Sequence, residues 1–269
     1  MKPVRYRMMQ ALALLGIGVA LVGCDRTVAV RGAVLDVGQR ALPGVAVVAR
    51  GTEYDAVTDA LGHYEIRCAP GPIVLECIKT GYTPGRLEFM SSNTGSQGLR
   101  LQFVQAVDVV LWPLPPGKGV YVFDRAQSRY QETTAVQAKP FLIKEGQEGA
   151  VFGVQVAPEL KITTDKPFLT SHKLPGYDVK LDKLKEVDAA LPATIAAPAF
   201  NERVWVRDTN IPMGAVPIDE SSQVLIELRP IAPLAPGRYA VHWGALDGHT
   251  ATEARVYLFE ILPPDAPAP

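Results

Sequence analysis

The sequence predicts an all-β chain: two antiparallel β-sandwich modules behind a short leader that is removed on export. Three observations predict it. Gly and Pro number 23 each in 269 residues, a punctuation too dense for long helices. Apolar runs are short and many alternate with period two; in His63-Tyr64-Glu65-Ile66-Arg67-Cys68, Tyr64, Ile66 and Cys68 share a face. Turn residues recur roughly every 8–12 positions, as in sandwiches. Hydrophobic residues make up 48% of the chain, enough for packed cores and too many for a disordered protein. Net charge is −1 and pI about 6.4, so no basic face for nucleic acid is advertised.

The leader comes first. Lys2, Arg5 and Arg7 make a positive start, and Ala11 to Gly23 carries no charge. That run is shorter than the ~20 apolar residues of a spanning helix, so residues 1–23 read as a secretory signal peptide rather than a permanent anchor. It closes on Leu21-Val22-Gly23-Cys24. An aliphatic, a hydrophobic and a small residue directly before a cysteine resemble the lipobox of bacterial lipoproteins. The bland alternative is an ordinary signal peptide with a chance cysteine. The resemblance implies a diacylglyceryl group on the Cys24 thiol, cleavage before Cys24 and acylation (palmitate) of the new amino terminus, with residues 24–27 as a lipidated tether. Each buried methylene contributes about 0.8 kcal/mol and a single chain attaches only reversibly; the two or three chains implied would hold the protein on the membrane. The expected location is the cell envelope, lipid-anchored and facing the periplasm. Asp25 slightly favours the inner membrane, since aspartate there resembles the retention signal of enteric bacteria.

The first module spans residues 28–112. Val28 to Val34 reads as a strand, Gln39 to Gly44 as a turn, Val45 to Ala49 as a strand and Thr58 to Gly62 as a tight connection. His63 to Cys68 and Ile73 to Ile78 follow as strands around Ala69-Pro70-Gly71-Pro72. Ser91 to Gly98 is an expected loop, Leu99 to Val104 a strand, and Val107 to Trp112 the closing strand. The order Val30-x-Gly32-x-Val34, Leu42-Pro43-Gly44-Val45-x-Val47, Thr58-Asp59-x-x-Gly62-x-Tyr64-x-Ile66, Pro70-Gly71 and Gly81-Tyr82 resembles a carboxypeptidase regulatory-like domain. The resemblance implies a transthyretin-like sandwich, sometimes classed with carbohydrate-binding-like folds, that serves as an accessory module and brings no catalytic residues.

Of the three cysteines, Cys24 is assigned to lipid. Cys68 and Cys77 remain as an even pair in an exported chain and are disulfide candidates. They fall on the inner face of neighbouring strands expected to form one hairpin. A bridge needs Cα atoms within about 7 Å and would stabilise by roughly 2–3 kcal/mol. The alternative is two buried thiols packing as small hydrophobes.

Residues 113–119, Pro113-Leu114-Pro115-Pro116-Gly117-Lys118-Gly119, read as a linker stiffened by proline and released by glycine. Residues 120–262 form the second β-rich module, immunoglobulin-like in outline, and residues 263–269 a disordered proline-rich tail. Tyr177 to Asp188 fits either an edge strand or a short helix. Pro236-Gly237-x-Tyr239-x-Val241-x-Trp243 with Asp247-Gly248-His249 is similar to the end of the copper-resistance immunoglobulin-like domain. In that family the aspartate and histidine of the turn help bind copper with an amino-terminal histidine; here the mature terminus is Cys24, so the likeness supports the sandwich and not a metal site.

No chemistry-bearing constellation stands out. His63, His172, His242 and His249 show no metal-ligand spacing, and neither a nucleophile elbow nor a phosphate loop occurs. His242 lies opposite Tyr239 and Trp243 on its strand and is expected to face solvent. Tyr239, Trp243, Tyr257 and Phe259 follow strand periodicity and are expected in the core rather than on a sugar-stacking platform. Catalytic residues, metal and cofactor are therefore all expected to be none. The expected function is a non-catalytic binding or scaffold lipoprotein, with membrane lipid through Cys24 and an envelope protein or glycan as partners, and no nucleic acid. The alternative is an enzyme acting on envelope polysaccharide or peptide, which requires several of Asp182, Asp188, Asp219, Glu220 and His172 to meet in a cleft of the second module.

Overall fold

The computed structural model describes residues 28–91, 105–106, 108–144, 150–192, 202–218, 224–249 and 253–264. Cys24 and its lipobox, the candidate loop 91–98 beyond Ser91, Asp219, Glu220 and the tail from Asp265 lie outside them. The described chain is almost entirely β, as its composition demands.

Residues 28–111 supply β1 (Val28–Asp36), β2 (Ala46–Ala49), β3 (Asp55–Val57), β4 (His63–Cys68), β5 (Gly71–Ile78), β6 (Gly85–Ser91), β7 (Gln105–Ala106) and β8 (Val109–Leu111). β1 pairs antiparallel with β4 and, on its other side, parallel with β7 and then β8. The second sheet runs β3-β2-β5-β6, all antiparallel. Period-two alternation turns Val30, Val34, Tyr64, Ile66 and Cys68 toward Val47, Ala49, Ile73, Leu75 and Cys77, and these residues form one buried core. The Thr58–Gly62 connection works through its polar atoms. Thr58 Oγ1 donates to Leu42 O (2.6 Å) and accepts from Val45 N (2.8 Å), while the Asp59 carboxylate accepts from the N–H groups of Leu61 and His63. Gly62 adopts φ 75°, the left-handed region glycine tolerates best.

The hairpin expected from β4 and β5 does not form. The Ala69-Pro70 turn carries the chain from one sheet to the other, so Cys68 pairs across to Val28 while Cys77 pairs with Val47 and Gly85. The expected Cys68–Cys77 bridge is absent, and both thiols are free and buried.

From residue 119 the strands are β9 (Gly119–Asp124), β10 (Arg129–Glu132), β11 (Thr134–Gln137), β12 (Lys139–Ile143), β13 (Ala150–Val154), β14 (Lys161–Ile162), β15 (Leu169–His172), β16 (Lys180–Ala190), β17 (Glu202–Ile211), β18 (Met213–Pro217), β19 (Leu225–Pro230), β20 (Gly237–His242) and β21 (Arg255–Ile261). One sheet runs β10-β9-β15-β19-β18; the other runs β11-β21-β20-β16-β12-β13-β17. Val120, Val122, Leu169, Ile226 and Leu228 of the first pack on Leu181, Tyr239, Val241, Tyr257, Phe259 and Ile261 of the second. β17 pairs with both β13 and β16, so β16, β12, β13 and β17 close in a ring around Phe141, Ala189, Val204 and Val206. This ring is an addition to the expected sandwich. It also resolves Tyr177 to Asp188: Lys180–Ala190 is the longest strand, broken in register between Lys183 and Leu184. The β20–β21 pair is covered on its second face too, by Val154, Leu184, Ala245 and Leu246.

Residues 113–119 are bonded at both ends. Leu114 N donates to Gly81 O, and Tyr130 Oη donates to Pro113 O (2.8 Å). Gly117 O accepts from Tyr121 Oη (3.0 Å) and from His172 Nδ1 (2.7 Å), and Lys118 pairs with Glu253 (2.6 Å). Gly117 and Lys118 of this segment are thus bonded to residues of the second sandwich. Trp112 stacks on Phe168 at 5.1 Å between centroids.

Candidate functional site

The most enzyme-like arrangement is Asp182–His242, and β-sheet register creates it. Asp182 on β16 stands directly opposite Ala240 on β20, next to the His242 end of that strand. The Asp182 and His242 side chains are completely buried. His242 Nε2 lies 2.8 Å from Asp182 Oδ2, and Gly244 N donates to His242 Nδ1 at 3.0 Å. Because Nδ1 accepts, the proton sits on Nε2 and is donated to the carboxylate. Asn210 Nδ2 donates to Asp182 Oδ1 at 2.8 Å. Both ring nitrogens and both carboxylate oxygens are therefore occupied by protein groups. A general base needs a lone pair within reach of a substrate proton, and this imidazole offers none. The network instead fixes the turn after β20: the 3-10 turn Ala245–Asp247 is bounded by left-handed Gly244 and Gly248.

This placement corrects the expected exposure of His242, which is 0% exposed. β20 and β21 are covered on both faces, so neither side of the strand meets water. The signal was present in Val256-Tyr257-Leu258-Phe259, apolar on both faces, as in strands buried on two sides. Tyr239, Trp243, Tyr257 and Phe259 are core residues, at most 3% exposed.

Asp247 follows in the same turn. Lys180 Nζ donates to it at 2.6 Å, and Arg207 donates to its other oxygen. Burial alone would raise its carboxyl, but the Lys180 hydrogen bond and the charges of Arg207 and Lys180 together hold it below the ordinary aspartate range. Asp247 is thus committed to two cations, and His249 is exposed on the far side of Gly248. No group of three or more metal-ligating residues occurs among the described residues.

The enzyme alternative required convergence. Asp182 is sealed against His242, Asp188 is exposed six residues further along β16, and His172 lies on β15 in the opposite sheet, bonded to Gly117. These three do not line a common cavity. Burial pushes His172 below the ordinary imidazole range, more strongly than the Gly117 hydrogen bond raises it. Its Nε2, together with Thr170 Oγ1, Ser171 Oγ and Tyr257 Oη, is buried with no hydrogen-bond partner among the described residues. Burial likewise raises the Cys68 thiol, and raises Cys77 to about 11, so neither is an activated nucleophile.

An open groove of about 740 Å³ is one recess of the second sandwich. It lies where the ends of β9 and β19 meet the segment from Lys161 to Phe168. Arg125 lies over the Phe168 ring at 4.6 Å from its centroid, Arg229 pairs with Glu227 at 2.6 Å, and the apolar rim includes Ile231, 77% exposed. Phe168 in its wall is already stacked on Trp112 and covered by Arg125, so the groove presents charged and proline side chains rather than a free aromatic face. Sequence reasoning missed this groove because its residues come from three separate loops.

Neither a protein-family model nor a curated protein matches the chain. Among solved structures it is similar to the major pilin subunit BcpA of Bacillus cereus, at 14% identity and TM-score 0.29 over 88% of this chain and 70% of that one. It is also similar to a DUF3823 family protein from Parabacteroides merdae, at 9% identity and TM-score 0.23 over 87% and 98%. A mutant type II cohesin–X-dockerin complex from Acetivibrio cellulolyticus matches at 18% identity and TM-score 0.23 over 32% of this chain, which spans 58% of that one. At these scores the β-sandwich assignment rests on the strand pairing itself. Among the described residues no helix is long and apolar enough to cross a membrane.

Proposed function

We propose that this chain is an envelope lipoprotein that works as a non-catalytic binding or scaffold module. The observation that carries the reading is Leu21-Val22-Gly23-Cys24 at the end of the leader, with three residues between Cys24 and the start of β1. Signal-peptide cleavage leaves Cys24 as the amino terminus, acylated and anchored to a bilayer outside the cytoplasm. Asp25 favours the inner membrane. Residues 28–112 act as a carboxypeptidase regulatory-like module and residues 120–262 as a second sandwich. Their partner is an envelope protein or glycan, for which the groove beside Phe168 is one recess. The full occupation of the Asp182–His242 pair by protein groups supports a non-catalytic role.

Replacement of Cys24 tests the tether. Cys24→Ala expressed with the same leader is expected to move from the membrane pellet to the soluble extracytoplasmic fraction. A variant that stays membrane-bound to the same extent overturns the reading.

A further inference from the structure

We propose that one tip of the first sandwich rests on the bilayer headgroups and that the second sandwich is held away from the membrane; this rests on lipidation at Cys24. The constraint is the length of the tether. Asp25, Arg26 and Thr27 alone separate Cys24 from Val28, the first residue of β1. At ~3.3–3.6 Å per residue, the four steps reach at most ~14 Å. The start of β1 therefore cannot leave the membrane surface by more than that.

Among the described residues, register identifies what else lies at that end. Val28 stands opposite Cys68, the last residue of β4, so the exposed Ala69-Pro70 turn is beside it. Gly71 pairs with Ser91 and Pro72 with Met90, which places the Pro72–Met90 pair one step behind the same turn. The turn between β2 and β3 points the same way, since Ala49 pairs with Leu75 and Arg50 N donates to Val74 O. The chemistry of this tip suits a headgroup layer. Met90 is 66% exposed, a large apolar side chain at a strand end beside an exposed proline. Arg50 and Arg67 are largely exposed and each pairs with one carboxylate, Glu76 at 3.5 Å and Glu65 at 3.8 Å; Glu53 is a further carboxylate within the turn. Cations near anionic headgroups are attracted across short distances.

The opposite end of the same strands leads to the second sandwich. β1 runs nine residues from Val28 to Asp36, roughly 30 Å at the usual strand rise. Beside its far end, Asp36 pairs with Leu111, after which Trp112 stacks on Phe168. The first sandwich thus acts as a post that carries the groove beside Phe168 clear of the bilayer, toward partners in the envelope space.

The test uses the full lipidated chain in vesicles of phosphatidylethanolamine and phosphatidylglycerol that contain a doxyl-labelled lipid. An NBD label is placed at Met90→Cys or at Ile231→Cys, both exposed positions; the parent protein, with Cys68 and Cys77 buried, is the blank. Flotation of wild type against Cys24→Ala is read in parallel. The expected result is Cys24-dependent flotation, loss of NBD emission by doxyl quenching at position 90, and none at 231. Cys24-dependent flotation with equal quenching at both positions, more at 231, or none at 90 overturns the orientation alone. Flotation that ignores Cys24 overturns the tether reading, and the orientation with it.

Discussion

Asp182 has an environment in which each oxygen has one assigned donor: His242 Nε2 on one side and Asn210 Nδ2 on the other. A buried donor left without its acceptor costs about 1–3 kcal/mol, and Asp182→Ala strands two, so the variant is expected to lose about 2–5 kcal/mol of unfolding free energy in urea. Asp188→Ala, exposed on the same strand, is expected to change stability by less than about 0.5 kcal/mol. Equal effects would contradict the structural role. Glu253 gives a second prediction, in acid. Its side chain is 5% exposed, and burial would raise it, but hydrogen bonds from Arg255 and Lys118 and from the Arg255 backbone hold its carboxyl at about 2. A depressed carboxyl contributes stability above its unfolded pKa that is lost as pH falls through the folded value. Wild type is therefore expected to lose more stability than Glu253→Gln between pH 4.5 and 2, measured as the urea midpoint across that range. Parallel curves would contradict the pairing. The Asp182–His242 pairing was not legible in the sequence, because the two are 60 residues apart and meet only through strand register.

The elements show where periodicity suffices and where it fails. The Thr58–Gly62 connection was readable because its residue types state their roles: a hydroxyl, a carboxylate and a glycine at fixed spacing. Gly62→Ala would set a Cβ 2.7 Å from Val34 O and 3.0 Å from Leu42 N, at φ 75°. We expect a loss of more than about 1 kcal/mol, since Ala at positive φ costs more than the entropy it saves; an unchanged thermal midpoint would contradict the geometry. β4 was equally plain, with burial alternating along His63–Cys68, yet its partner was not. Turn spacing cannot tell a hairpin from a crossing between sheets, and Ala69-Pro70 makes the crossing. β16 was ambiguous for a different reason. Lys180, Lys183 and Lys185 interrupt its apolar residues, and the register shift between Lys183 and Leu184 breaks the period of two. β15 was hidden because Thr170, Ser171 and His172 are polar yet buried.

Along the described chain, one sandwich, a bonded joint and a second sandwich with a closed ring of strands follow in order. The joint matters for transmission of position. Trp112 against Phe168, Tyr130 to Pro113, and Lys118 to Glu253 tie residues of both regions to the segment between them. The proposed membrane placement depends on the chemistry of Cys24. The most direct measurement is the intact mass of the protein extracted from membranes. The account predicts a chain beginning at Cys24 and heavier than its sequence by a diacylglyceryl group and an amide-linked acyl chain. A chain of unmodified mass that begins elsewhere, or that begins at Cys24 with a free thiol, would contradict it.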